Sequence, residues 1–353
     1  MAITHARDTM DVDGGGGLEQ QGGGAAGFDL PAVLAQLDDT DPAEQRAAVR
    51  RIRTAIDERG LAGACVPTVP KLRALLERPE LDFHEEIAAC LADLAAEAPT
   101  DVAPSTEAIV AVAAERTDRP ETRPLLRCLA AVAAERPDVV ADYTTAITGV
   151  LETRRGFDHC GLQVLAHVST ADPAAIQPAV PVLTDALAVN PVENGTPALR
   201  ALGRFVRSEG EVPSREFVTH AATLVDHDET ALRHDAIGCL GDVADHDPAA
   251  VEPVCGSLGA SLSCSDPDTR AMAAMTLARV ADGIESALEP VREQLCELLA
   301  DDYPHVRVNA CIALGNGRVD AAAPRLRALA SDDPSPNVRD RAQWALTRTT
   351  VSQ

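Results

Sequence analysis

Apolar residues return along this chain at helical spacing, and the spacing itself repeats. The segments TALRHDAIGCLGDVA (230–244), DTRAMAAMTLARVAD (268–282), HVRVNACIALGNG (305–317) and NVRDRAQWALTRT (337–349) share one design. Each carries an arginine, an alanine three residues on, and apolar residues filling one helical face. The arginines Arg233, Arg270, Arg307 and Arg339 stand 37, 37 and 32 residues apart. Self-similarity at this period, with helical patterns and no strand alternation, predicts an all-α fold of the α-solenoid kind. One helical hairpin cannot bury its own apolar face, so stacking on neighbours supplies the core.

A short turn rich in Asp and Pro precedes each of these helices: DHDET (226–230), CSDPD (264–268), DDYPH (301–305) and DDPSPN (332–337). Asp and Thr side chains there accept hydrogen bonds from the free N–H groups of the next helix, and their charge suits its positive end. Before each of the last three turns lies another helical pattern: PAAVEPVCGSLGASL (248–262), SALEPVREQLCELLA (286–300) and DAAAPRLRALA (320–330). These bear Pro253, Pro290 and Pro324 in their first halves, where proline starts or bends a helix.

The alternation of Pro-bearing helix, Asp/Pro turn and Arg-opened, Ala-rich helix resembles the HEAT repeat, especially the short variety also found in phycobiliprotein lyases. Weaker copies run back to DLPAVLAQL and EQRAAVRRIRTAI, making about nine helix pairs from roughly residue 28 onward. The resemblance implies a right-handed superhelix whose second helices line a concave surface suited to a protein or peptide. It also casts the turn Asp and the opening Arg233, Arg270, Arg307 and Arg339 as a ladder between successive units. Residues 1–27, including GGGGLEQQGGGAAG, carry no periodicity and are expected to be a disordered tail; residues 28–353 form the repeat domain.

Composition narrows the picture. Hydrophobic residues make up 46% of the chain but aromatics only 2%, a palette of Ala, Leu and Val that suits closely packed helices. The formal net charge is −24, with 55 acids against 31 basic residues, and Lys71 is the single lysine. Many carboxylates with Arg in place of Lys resemble the proteins of salt-in halophiles, haloarchaea in particular. A charge of this sign repels phosphate backbones and anionic bilayers, so nucleic acid and membrane are not expected partners. A nucleic-acid-binding solenoid would need arginines gathered on one concave face. The sequence shows neither a secretory signal pattern nor an apolar run of about 18 residues, so a cytoplasmic location is expected. The nine cysteines form no CxxC pair; Cys90, Cys128, Cys239 and Cys311 fall beside small residues of the second helices and read as packing groups.

One motif invites a catalytic reading. LRHDAIGCLG places His234 beside Asp235 early on a second helix, similar to the His-Glu pairs of the di-iron centre in deoxyhypusine hydroxylase, a HEAT-like enzyme. Two metals need several ligands converging at about 2.0–2.2 Å. In register, the His234 and Asp235 positions hold Ala271 and Met272, then Val308 and Asn309, and in the preceding unit Thr196 and Pro197. The other candidates, His84 with Glu85 and Glu86, and His159 with Cys160, lie whole units away. At about 8–10 Å per stacked helix they are too distant to share an ion. His227 and His246 sit beside acids in turns and read as turn and cap residues. No catalytic, cofactor-binding or metal residue is assigned, and no cofactor is expected.

Charge is uneven along the array. Residues 226–302 hold 17 acids and 4 arginines, whereas 318–353 hold six arginines against four Asp. The first pair is also Arg-rich (Arg46, Arg50, Arg51, Arg53). These less acidic ends are candidates for docking an acidic partner or a second copy. Trp344, the lone tryptophan, is expected to cover the end of the core. The sequence thus predicts a protein-interaction scaffold without intrinsic catalysis, the alternative being an enzyme or accessory of the hydroxylase or bilin-lyase kind.

Overall fold

The computed structural model describes residues 28–154 and 157–349; the Gly-rich segment 1–27 lies outside the described residues. Every regular element among them is helical, and they fall into nine hairpins. In chain order, α1 (Leu30–Leu37) pairs with α2 (Pro42–Arg59), α3 (Val69–Leu76) with α4 (His84–Glu97), and α5 (Thr106–Glu115) with α6 (Thr122–Glu135). Then α7 (Thr144–Thr153) pairs with α8 (His159–Ala171), α9 (Val180–Val189) with α10 (Pro191–Glu209), and α11 (Arg215–Ala222) with α12 (Thr230–His246). The last three pairs are α13 (Cys255–Leu262) with α14 (Pro267–Gly283), α15 (Arg292–Glu297) with α16 (Pro304–Asn316), and α17 (Ala323–Asp332) with α18 (Pro336–Thr349). The molecule is an α-solenoid.

The first helices are shorter than their apolar patterns suggest, for a physical reason. Proline lacks an N–H and crowds the carbonyl four residues back, so the chain tightens into a 3-10 turn. Pro253 lies in the 3-10 segment Glu252–Val254, Pro290 in Glu285–Val291, and Pro324 opens α17 just after Asp320–Ala322. Second helices are longer and better capped. Asp41, Asp158, Asn190 and Asp266 accept backbone N–H bonds at their starts, while Gly60 (φ 61°) and Gly210 (φ 70°) end α2 and α10 in the left-handed conformation.

Burial fixes the register of all nine second helices. One position near each helix start, here the rung position, holds Gln45, His84, Thr122, Asp158, Gly195, Arg233, Arg270, Arg307 and Arg339 in turn. Seven residues further on, the first eight units bury Ile52 or a leucine, from Leu91 to Leu314, each at 0% exposure. Truncating any of these to Ala would cost about 2–5 kcal/mol. Second helices of consecutive hairpins pack along one another, and the buried side chains form one continuous spine from Val33 to Ala345.

The rung position ties each turn to its helix. Arg233, Arg270, Arg307 and Arg339 all donate from Nη1 to the carbonyl six residues back, at 2.6–2.8 Å: His227, Cys264, Asp301 and Asp333. The remaining edge of the guanidinium reaches the next hairpin. Arg270 holds Asp301 (2.7 and 3.1 Å) and Arg307 holds Asp333 (2.8 and 2.9 Å) in forked pairs. The ladder expected from sequence is incomplete at Arg233, because the next turn offers Cys264 where the others offer Asp. Arg233 Nε instead donates to Thr269 Oγ1 at 3.1 Å.

At the far end, Trp344 packs where a Cβ on Gly315 would stand 2.7 Å from its ring, and Arg348 lies 5.2 Å over the ring. The outward positions of α18 hold exposed Asp340, Gln343 and Thr347. Inner units bury small apolar residues such as Ala274 and Ala278 at the Gln343 and Thr347 positions.

Candidate functional site

The His-Asp motif is divided between two neighbours. His234 Nε2 lies 3.0 Å from Asp266 Oδ2 and 2.9 Å from Thr269 Oγ1 in the following hairpin. Asp235 faces the other way and accepts from Arg200 Nε at 2.9 and 3.1 Å. The Thr269 hydroxyl, with the His234 bond and two backbone N–H groups, holds the Asp266 carboxyl down at about 2. His234 therefore takes part in the inter-hairpin contact that Arg233 cannot complete with a carboxylate.

The other histidine candidates are likewise engaged locally. His84 occupies the rung position itself, its Nε2 2.8 Å from Arg78 O, six residues back. Glu86 receives Arg46 and Arg50, while Glu85 is exposed. His159 Nδ1 lies 3.1 Å from Glu193 O, beside half-buried Cys160. His227 Nδ1 accepts from Glu229 N at 3.1 Å, a turn contact, and the His246 ring lies against Gly210. No group of three or more His, Cys, Asp or Glu among the described residues is arranged to hold a metal ion. Cys90, Cys128, Cys239 and Cys311 are buried, and burial pushes the Cys128 and Cys311 thiols up to about 12.

The sequence reading missed a different constellation. Residues two, five and nine after the rung position form one stripe along each second helix. Read across the nine units, that stripe carries Arg50, Arg127, Arg200, Arg204, Arg279, Arg341 and Arg348 against only Glu86, Asp93, Asp235 and Asp242. It is positive on a chain whose formal charge is −24. Each of its acids is gripped from an adjacent unit. Asp93 accepts from Arg53 (3.0 Å) and Arg127 (2.6 Å), and Asp242 accepts from Arg207 at 3.0 and 2.7 Å. The carboxylates are sunken and the guanidinium groups lie over them.

In the last three units apolar residues join Arg279, Arg341 and Arg348 on the stripe. Met272, Met275, Ile312 and Trp344 are half-buried along it. Met272 and Met275 line a hollow of about 470 Å³ with His234, Gly238, Arg279 and Asn309. The arginines of the chain's ends are largely occupied by intramolecular contacts: Arg51 donates to Gln36, Arg318 pairs with Glu285, and Arg325 donates to Cys296 O. The stripe could have been found by aligning every second helix on its buried Leu and reading across units. The four Arg-opened copies alone did not reveal it, because rung arginines and stripe arginines differ only in register.

Comparison with known proteins agrees with this architecture. Residues 257–347 match the family model described as HEAT repeats. The crystal structure of an engineered protein superposes with a TM-score of 0.63 at 20% identity, covering 90% of this chain and 98% of the other. A second engineered protein aligns more loosely, with a TM-score of 0.35 at 18% identity over 80% of this chain and 96% of that one. No curated protein sequence matches the chain. Among the described residues, no helix is long and apolar enough to cross a membrane.

Proposed function

We propose that the protein is a scaffold that holds an acidic segment of another protein along the stripe of its second helices. The observation that carries this reading is the inversion of charge. An acidic molecule reserves its second-helix stripe for arginine, and a carboxylate-bearing chain is the ligand such a surface attracts. Long second helices packed side by side, beside shorter and interrupted first helices, support placing this stripe on the inner curve of the solenoid. An elongated concave strip suits an extended or helical peptide. Met272, Met275, Ile312 and Trp344 supply apolar anchors between the charges.

Arginines gathered on one face are also what a nucleic-acid binder needs, so the choice rests on how they are spent. Glu86, Asp93, Asp235 and Asp242 neutralise Arg50, Arg127, Arg200 and Arg279 in part, and apolar side chains interrupt the series. A phosphate backbone carries roughly one charge per 1.7 Å and favours an unbroken cationic track. The spaced arginines fit the lower charge density of a polypeptide. In the same reading, the acidic exterior keeps the protein soluble in a salt-rich cytoplasm.

Affinity capture in molar salt, comparing the native chain with an Arg127→Glu/Arg341→Glu variant, tests the proposal. A partner retained by the native chain through an acidic segment and lost by the variant is the expected result. Retention of nucleic acid in place of protein, or equal capture by both forms, overturns it.

A further inference from the structure

Arg204 differs from the other arginines near the middle of the stripe. Its Nη1 donates to Ala166 O at 3.0 Å and to Ser169 Oγ at 3.3 Å on α8, and no carboxylate among the described residues lies within salt-bridge distance. Asp235 and Asp242 lie near enough to act on it, but Arg200 and Arg207 occupy them. Burial and the charges of Arg200 and Arg207 push the Arg204 guanidinium down from its ordinary value. His167 stands beside it on α8, half-exposed, and burial together with Arg204 and Arg200 pushes its imidazole down. The other charged groups on elements packed against α8 are Arg123, Arg127 and Glu135 of α6, Asp138 of the short helix Pro137–Ala141, Glu152 of α7, and Glu193, Arg207 and Glu209 of α10; none of them acts on the ring.

A half-buried arginine without a carboxylate, flanked by a second arginine and a histidine, has the donor set of a carboxylate site. We infer that Arg204, Arg200 and His167 clamp one carboxylate of the acidic segment, and that this carboxylate is taken up together with a proton on His167. The inference rests on the functional reading above and gives it a central contact. The sign follows from linkage. A bound carboxylate favours the imidazolium, so the His167 pKa is higher in the complex than in the free protein. The added affinity is fully present below the free value and is lost as pH rises through the bound value. Arg204 supplies the permanent part of the attraction and His167 the proton-dependent part.

The probe is a poly-glutamate peptide, and the protein is the full chain labelled at its histidines for NMR. The expected result is that the peptide moves the His167 titration midpoint upward and binds more tightly as pH falls through it. Arg204→Gln should weaken binding about tenfold, the scale of one charge-assisted hydrogen bond, with unchanged helix content at the temperature of the assay. His167→Gln should retain binding at neutral pH and abolish the pH dependence. A His167 midpoint unmoved by bound peptide overturns the inference. So does a peptide affinity insensitive to Arg204→Gln but reduced by Arg127→Gln and Arg341→Gln, an outcome that leaves the scaffold reading standing. A native chain that ignores the peptide and binds a single-stranded oligonucleotide overturns both.

Discussion

Arg307, on the first turn of α16, and Asp333, in the turn of the following hairpin, form a forked ion pair with N–O distances of 2.8 and 2.9 Å. Their side chains are 9% and 3% exposed, so water barely screens them. Removing one partner leaves the other buried and unpaired. Asp333→Ala is expected to destabilise the chain by about 3 kcal/mol, read from the midpoint of chemical denaturation. Arg307→Leu/Asp333→Leu should lose less than Asp333→Ala, because no charge is then stranded. A double substitution as costly as the single would show that the pair contributes through something other than mutual neutralisation.

The same turns set the acid limit of the fold. Burial alone would push the Asp333 and Asp301 carboxyls up, but hydrogen bonds and charge from Arg307 and Arg270 hold both below their ordinary value. Asp266 is held down at about 2, first by Thr269. A carboxyl lowered in the folded state contributes stability above its unfolded value of about 3.9, lost as pH falls through its folded value. Acid unfolding of the C-terminal units should therefore develop between about pH 4 and about pH 2, and Asp266→Asn should flatten the lower part of that transition in circular dichroism.

Two glycines on second helices make opposite predictions. A Cβ on Gly315 would meet Trp344 at 2.7 Å and the Ala345 backbone at 3.0 Å, so Gly315→Ala must separate α16 from α18. Overpacking of this kind costs about 1–3 kcal/mol, and the single tryptophan should report it as a shifted emission maximum. At Gly238 the nearest atom is Met272 Cε at 3.6 Å, so Gly238→Ala should gain up to about 1 kcal/mol from helix propensity. Melting temperatures of the two variants should move in opposite directions.

Thiol reactivity should sort the cysteines by burial. Cys65, Cys90, Cys128, Cys239, Cys255 and Cys311 are buried, and desolvation pushes Cys65 up to about 11 and Cys255 up to about 12. Cys160, Cys264 and Cys296 are only partly covered. A disulfide-exchange reagent at neutral pH should label these three first and the remaining six only on unfolding. Early labelling of Cys90 or Cys239 would show that the spine opens locally.

The repeat was legible because helical periodicity and turn chemistry act locally: Arg233, Arg270, Arg307 and Arg339 lie in one register that the sequence displays directly. The first five rungs were not legible, since Gln45, His84, Thr122, Asp158 and Gly195 share a place in the fold but no side-chain chemistry. His84 shows the difficulty well, having drawn notice as a ligand candidate while it does the turn-tying work of the later arginines. The interrupted first helices were only half visible: the prolines were noticed, but the sequence pattern favoured continuous helices over 3-10 turns. The arginine stripe escaped notice because net charge averages over the whole surface, and only stacking brings residues roughly 37 positions apart onto one line.

The changing identity of the rung residue bears on how the chain finds its pairing. Neighbouring hairpins that open with the same arginine at a constant interval are near-interchangeable, so α14 and α16 are where an out-of-order dock would meet the least resistance during folding. The amide, imidazole, hydroxyl and carboxylate of the earlier rungs label each hairpin differently and make such a substitution self-correcting. The varied N-terminal half can thus act as the address from which the more uniform C-terminal half is counted out.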